Sequence, residues 1–187
     1  MTASGASAAE LSPAVQSKML SALDAYAPRL SEMALQIWAM PELGYLETKT
    51  TALLQGELAK AGFKIQKGVA GMPTSFIASF GGTDGPVIAI LAEMDSLPGL
   101  SNEASPERKP VTGVISGHAC GHNLFGTGAV AAAIAVKNWM QENNIKGQLR
   151  VYGTPAEEGG GGKDYFVQRS EEHTSELQSR FGISYAV

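Results

Sequence analysis

An α/β domain built on a largely parallel central sheet is what the sequence predicts, on three observations. Short runs rich in β-branched and aromatic residues alternate with stretches whose apolar residues recur every three or four positions. That is the pattern of strands joined through helices. Val87-Ile88-Ala89-Ile90-Leu91-Ala92 is continuously apolar and bounded by turn residues, as a strand buried on both faces requires. Finally, the stretch from about Leu124 to Gln141 is helix-length and dominated by small residues, narrow enough to lie close on a sheet.

Taken in order, residues 1–10 are rich in Ala and Ser and are expected to be disordered. From about Leu11 to Met40, Leu20, Leu23, Leu30, Met33, Leu35 and Ile37 follow helical spacing. Pro28 marks a break between two helices or a first-turn position. Pro41-Glu42-Leu43-Gly44 is a turn, and a helix over roughly Thr48–Lys60 ends at Gly62. Phe63–Gln66 and Ser75–Phe80 read as short strands separated by the Gly68–Pro73 turn region, and Gly81–Pro86 as a hairpin loop. After the apolar strand at 87–92, the polar stretch Ser96–Gly117 carries three prolines and is expected to be a surface loop. The helix from about Leu124 follows, with Gly126 and Gly128 expected to let it approach the sheet. Leu149–Gly153 is a further strand, leading into Pro155-Ala156-Glu157-Glu158 and four glycines. No internal repeat is visible. In sheets of this kind ligands bind beyond the carboxyl ends of strands, where both Glu93–Asp95 and Glu157-Glu158 fall.

Composition narrows the function. The 187 residues are 44% apolar and 17% charged, an ordinary globular balance sufficient for one domain. A formal net charge of −4 argues against a nucleic-acid partner, which would need clustered Lys and Arg. No apolar run approaches the ~20 residues that span a bilayer. The amino terminus lacks a basic n-region and an apolar h-region, so a cytoplasmic location is expected, although Ala6-Ser7-Ala8 resembles the remnant of a signal-peptide cleavage site. The single cysteine, Cys120, rules out an internal disulfide framework. Two of the three histidines, His118 and His122, stand beside it.

Three segments carry chemistry. In Gly117-His118-Ala119-Cys120-Gly121-His122-Asn123 a thiolate and an imidazole two positions apart suit one divalent metal. Alone, the same segment reads equally well as a buried cysteine beside a helix-capping histidine. Glu157-Glu158 follows a strand; adjacent carboxylates in a cleft repel, and a cation offsets this. The natural division makes one a ligand and the other a general base, while a solvated acidic turn before a flexible linker remains open. Glu93-Met94-Asp95 ends the apolar strand, where a carboxylate either orients a ligand or caps the following loop. A phosphate-loop reading of Gly159–Lys163 fails, because Glu157 stands where the first glycine is required and Asp164 where Ser or Thr would hold magnesium.

In this order the segments resemble the M20 metallopeptidase superfamily, specifically its amidohydrolase branch. Pro41-Glu42-Leu43-Gly44-Tyr45 with Glu47 is similar to the family's P-E-L-G-[FY]-x-E segment, and Ala92–Pro98 to its A-[DE]-x-D-[AS]-L-P segment. Gly117–Asn123 and Pro155–Gly162 complete the set, and the resemblance runs over nearly all of 30–168. The wording Leu97-Pro98-Gly99-Leu100-Ser101, a long insert and then G-H-A-C-G-H-N-L-F-G-T is similar to the type that hydrolyses p-aminobenzoyl-glutamate. The resemblance implies a zinc-exopeptidase-like catalytic domain with a mixed, largely parallel sheet flanked by helices, of which residues 11–168 are the amino-terminal half. It implies Zn²⁺ or Mn²⁺ with Cys120, His122 and Glu158 as ligands, Glu157 as general base, and Asp95 orienting a ligand. His118 lies inside the motif but is not an expected ligand. The implied reaction is hydrolysis of an amide in a small N-acyl or N-aroyl amino acid, by a homodimer or a pair of related subunits. Further His ligands, a lid or dimerisation domain and substrate-carboxylate contacts are implied downstream, so the 187-residue chain alone is expected to be inactive. Two other readings compete: Cys120 as a nucleophile with His118 or His122 as its base, and a non-catalytic metal-binding module.

From Arg169 the character changes. Arg169–Ser179 reads as a direct translation of a common sequencing-library adapter, and Ile183–Val187 matches the adapter segment that follows a variable index. Residues 169–187 are therefore expected to be non-native, and His173 carries no functional weight.

Overall fold

In the computed structural model, which describes residues 12–169, helix α1 (Pro13–Ala39) starts where the Ser12 hydroxyl accepts the Val15 amide, with Pro13 at the first position. The helix runs through Pro28 without the expected break. Pro28 lies on the solvent side, so the Asp24 carbonyl that loses its partner can be satisfied by water. Helix α2 (Thr48–Lys60) has the expected bounds, and the Glu42 carboxylate stands in as its cap, accepting the Lys49 and Thr50 amides at 2.8–3.0 Å. Strands β1 (Lys64–Lys67) and β2 (Phe76–Gly81) flank a short 3₁₀ turn at Val69–Gly71; β3 (Val87–Glu93) follows. The 96–117 loop is pinched at its neck by the small strands β4 (Leu97–Pro98) and β5 (Ser116–Gly117). Helix α3 (His122–Glu142), β6 (Gln148–Thr154) and α4 (Gly162–Arg169) complete the described chain.

The main sheet is mixed, in the order β1-β2-β6-β3. Its parallel share is smaller than the sequence pattern suggested: β3 and β6 are parallel, whereas β1/β2 and β2/β6 are antiparallel. The reason lies in the connections. Only the β3–α3–β6 segment is long enough for a crossover, while the short 68–75 connection with its 3₁₀ turn reverses the chain between β1 and β2. Helices flank both faces. On one, α1, α2 and α3 bury Met33, Ile37, Leu54, Leu58 and Val130 against Phe76, Ala78, Ala92 and Val151. Each of the larger side chains among these contributes about 1.5–3 kcal/mol by leaving water. On the other, Phe166 of α4 packs with Tyr152 and Met72, joined by Ala89 and Leu91.

β3 is not buried on both faces as its apolar run suggested. It is an edge strand of the described sheet, with Ile88 56% exposed. Its carboxyl end is the covered part, where Ala92 and Met94 are fully buried. Gly126 accounts for this: a Cβ there would lie 2.7 Å from the Glu93 carbonyl oxygen, so a hydrogen side chain lets α3 seat directly on the strand end. Gly128 meets nothing. No helix among the described residues is long and apolar enough to cross a membrane. The expectations for residues 1–10 and for 170–187, including His173, lie outside the described residues.

Candidate metal centre

Parallel pairing of β3 with β6, in the register Glu93↔Thr154, brings two acidic segments to one end of the sheet. Glu93 closes β3 and Asp95 lies two residues on; Glu157 and Glu158 follow β6 by a similarly short extension. The third contribution is the turn into α3, which presents Cys120 just before the helix and His122 at its first position.

His122 is the hub, with its ring buried between carboxylates from β3. Nδ1 lies 3.1 Å from Asp95 Oδ1 and 3.0 Å from the Asp95 carbonyl oxygen. Nε2 lies 3.0 Å from Glu93 Oε2 and 3.8 Å from Glu157 Oε2. Burial alone would lower the His122 pKa, but the hydrogen bond and charge of Asp95, with Glu93, outweigh it and raise it. Asp95 is 1% exposed. Its burial would raise the carboxyl, yet His122 and the Glu158 amide, which donates to Oδ2 at 2.9 Å, together hold it below the usual carboxylate range.

Two ligand groups result. Single donor atoms of Cys120, His122 and Glu158 lie within 4.8 Å of each other, as do those of Glu93, His122 and Glu157. The adjacent glutamates thus point to different groups, which share His122. Sulfur, imidazole nitrogen and carboxylate oxygen form a donor set suited to a zinc-type cation, and with Nδ1 tied to Asp95, Nε2, on the side of Glu93 and Glu157, is the nitrogen that would ligate. Cys120 is exposed. Partial desolvation and then its hydrogen bond to Glu158 push its thiol up to about 11. His118 is fully buried and belongs to neither group; burial drives it down to about 4, leaving it neutral.

The predicted residues Asp95, Cys120, His122, Glu157 and Glu158 therefore converge. Three further features were not foreseen. Lys163 of α4 pairs with Glu93 and stands 3.7 Å from Glu157 Oε1, giving the acidic cluster a cation of its own. Phe125, half exposed on the first turn of α3, sets its ring at 61° and 6.4 Å from that of His122, and beside it Leu124 is also exposed. The third is Glu47, fully buried, whose carboxylate accepts the Thr74 hydroxyl and the Ala156 amide, each at 2.8 Å. Sequence spacing gives no sign of these contacts: Glu47 and Ala156 are 109 positions apart, and Lys163 and Glu93 are 70 apart.

The sequence profile of Peptidase family M20/M25/M40 matches residues 89–187. The chain is 45% identical over 148 residues to one of the subunits of p-aminobenzoyl-glutamate hydrolase from Escherichia coli, an alignment covering 79% of this chain and 31% of that protein. It is 32% identical over 129 residues to N-acetyl-L-cysteine deacetylase of Bacillus subtilis, covering 68% and 30%. The chain thus spans about a third of the length of the curated relatives it matches. Among solved structures, a dinuclear metal binding peptidase from the M20 family of Bacillus subtilis superposes with a TM-score of 0.66 at 28% identity, covering 78% of this chain and 40% of that one.

Proposed function

The chain belongs to Peptidase family M20/M25/M40, and from that membership and the site geometry we propose metal-dependent hydrolysis of the amide bond in N-acyl or N-aroyl amino acids, p-aminobenzoyl-glutamate among them. The observation that carries the proposal is the convergence of Cys120, His122 and Glu158 within 4.8 Å, with Glu157 beside them in a separate group. Cys120, His122 and Glu158 would hold a divalent metal, Zn²⁺ or Mn²⁺. When bound, the metal supplies Lewis-acid polarisation of the scissile carbonyl and a lowered pKa for water.

The remaining chemistry belongs to side chains of this chain. Glu157, whose side chain is 37% exposed and whose Oε2 lies 3.8 Å from His122 Nε2, takes the proton of the attacking water, then delivers it to the departing amine. Asp95 fixes the His122 ring through Nδ1 and the Glu158 backbone through its other oxygen. Phe125 and Leu124 offer an apolar wall on which an acyl or aroyl group can rest. Two relationships support the substrate class: the Escherichia coli relative is part of a p-aminobenzoyl-glutamate hydrolase and the Bacillus relative is an N-acetyl-L-cysteine deacetylase. The first is one subunit of its enzyme, which supports assembly with a related chain; a homodimer is the other arrangement proposed.

A cysteine-nucleophile reading finds no geometric support. The Cys120 thiol is hydrogen-bonded to Glu158 and its pKa is raised, while both His122 nitrogens face carboxylates instead of serving as a base. A binding-only module has no use for a second glutamate held apart from the ligand group. The test is hydrolysis of p-aminobenzoyl-glutamate and N-acetyl amino acids by the full-length enzyme, before and after chelation and resupply of Zn²⁺ or Mn²⁺. Glu157→Gln is expected to cut turnover about 10²–10⁴-fold with metal content retained. Undiminished turnover by that variant, or turnover insensitive to chelation, overturns the proposal.

A further inference from the structure

One short segment touches both acidic loops of the site. The Glu42 carbonyl accepts the Ser96 amide at 2.9 Å, next to Asp95, and Leu43 bridges to Ser96. Gly44 abuts Ala156 so closely that a Cβ would lie 2.8 Å from the alanine's own. The Tyr45 hydroxyl donates to the Gly160 carbonyl at 2.5 Å. Glu47 completes the grip by accepting the Ala156 amide. One residue on each side of this contact, Tyr45 at φ 65° and Ala156 at φ 54°, is a non-glycine residue in left-handed conformation. Each such residue costs on the order of 1–2 kcal/mol and persists only where its surroundings hold it.

We infer that Glu47 is the positioning residue for the Glu157–Glu158 pair: its buried carboxylate holds Ala156 in the left-handed turn that sends Glu158 to Cys120 and His122, and Glu157 to Glu93 and His122. The inference rests on the roles proposed above for the two glutamates. An ordinary extended Ala156 would rotate the following peptide and carry both side chains off their groups. The carboxylate suits the task because donors surround it. The Thr74 hydroxyl binds one oxygen and the Ala156 amide the other, and the amides of Tyr45 and Glu47 add to them. Burying an anion without a counter-ion is costly: burial raises the Glu47 carboxyl above the usual carboxylate range, and those donors offset part of that cost. Glutamine keeps an acceptor for Ala156 and lets the Thr74 hydroxyl turn to accept; alanine leaves the Ala156 amide unpaired.

The experiment titrates Co²⁺ alone into the metal-free full-length enzyme, following the thiolate-to-cobalt charge-transfer band from Cys120, and in parallel measures amide hydrogen exchange over residues 154–162. Glu47→Ala is expected to weaken Co²⁺ binding about 10–100-fold and to speed exchange in that turn, with α2 and β2 still protected. Glu47→Gln is expected to stay within about threefold of wild type on both readouts. In the Glu47→Ala background, Ala156→Gly should restore most of the affinity, because glycine enters the left-handed region without the penalty. If Glu47→Ala leaves both affinity and turn exchange unchanged, or if Glu47→Gln falls as far as Glu47→Ala, the positioning role is overturned. Should Glu47→Ala lose all protection, the Glu47→Gln and Ala156→Gly variants still decide. Absence of any charge-transfer band in wild type overturns the metal assignment instead, and the exchange data then judge the turn by themselves.

Discussion

Asp95 accepts the backbone amide of Glu158 at 2.9 Å, so one buried carboxylate braces two of the candidate ligands, the His122 ring through one oxygen and the Glu158 main chain through the other. That double attachment gives Asp95 a larger share in metal affinity than a residue touching one ligand. Asp95→Ala is expected to weaken Zn²⁺ binding about 10–100-fold, measured by competition against a chromophoric chelator. Equal affinity in the variant would remove Asp95 from the site.

Cys120 offers a check on the resting state of the pocket. Its thiol is pushed up to about 11 by desolvation and the Glu158 carboxylate, so at pH 8 the metal-free folded chain holds on the order of one thiolate per thousand molecules, against an ordinary cysteine pKa of ~8.5. Alkylation by iodoacetamide, followed by mass spectrometry, should be about 100-fold slower in the folded chain than in the urea-unfolded chain. Because Cys120 is the only cysteine, the signal has a single source. Matching rates would show that the Cys120–Glu158 contact does not form in solution.

Away from the site, Glu57 of α2 joins the two amino-terminal helices. Arg29 hydrogen-bonds it at 2.8 Å and Tyr26 donates to it as well. Chiefly through Arg29, its carboxyl is lowered to about 2. A folded-state pKa below the unfolded value adds stability that is complete above the unfolded value of ~4.3 and is lost as pH falls toward 2. Glu57→Gln is therefore expected to cost about 1–2 kcal/mol at pH 7, with the gap to wild type closing between pH 5 and 2 in urea unfolding. A gap that does not shrink between pH 5 and 2.5 would assign the loss to packing instead of charge.

Much of this was legible in the residues because it depended on local pattern. Helix α2 has the expected bounds and ends before the glycine that marks its stop, and β6 covers the expected strand at 149–153. The convergence of 93–95 with 157–158 follows from strand ends meeting in an α/β sheet. What failed did so for non-local reasons. Val87–Ala92 looks like a central strand because its residues are apolar, but position in a sheet is set by partners, and in the described sheet β3 lies at the edge. Pro28 signalled a break because sequence does not reveal which helix face meets water. Glu47 appeared only as one letter of a motif; that it is a buried acceptor for Ala156 depends on a fold bringing together residues 109 positions apart.

The strand pairing at the heart of the site also dictates where the chain can lengthen or shorten over evolutionary time. Adding or deleting one residue within β3 or β6 would turn every later side chain of that strand to the opposite face and break the alignment of Glu93 with Thr154. The 96–117 loop is free of this constraint. Its neck is closed by Leu97 pairing with Gly117 and by the Gly99 amide on the Ile115 carbonyl, so residues added beyond the neck leave the sheet register in place and, outside the Asn102 hydrogen bonds, cost loop closure of about 0.6 kcal/mol for each doubling. Insertions and deletions in this part of the domain should therefore collect between 100 and 114, leaving the ligand spacing untouched while reshaping the surface beside it.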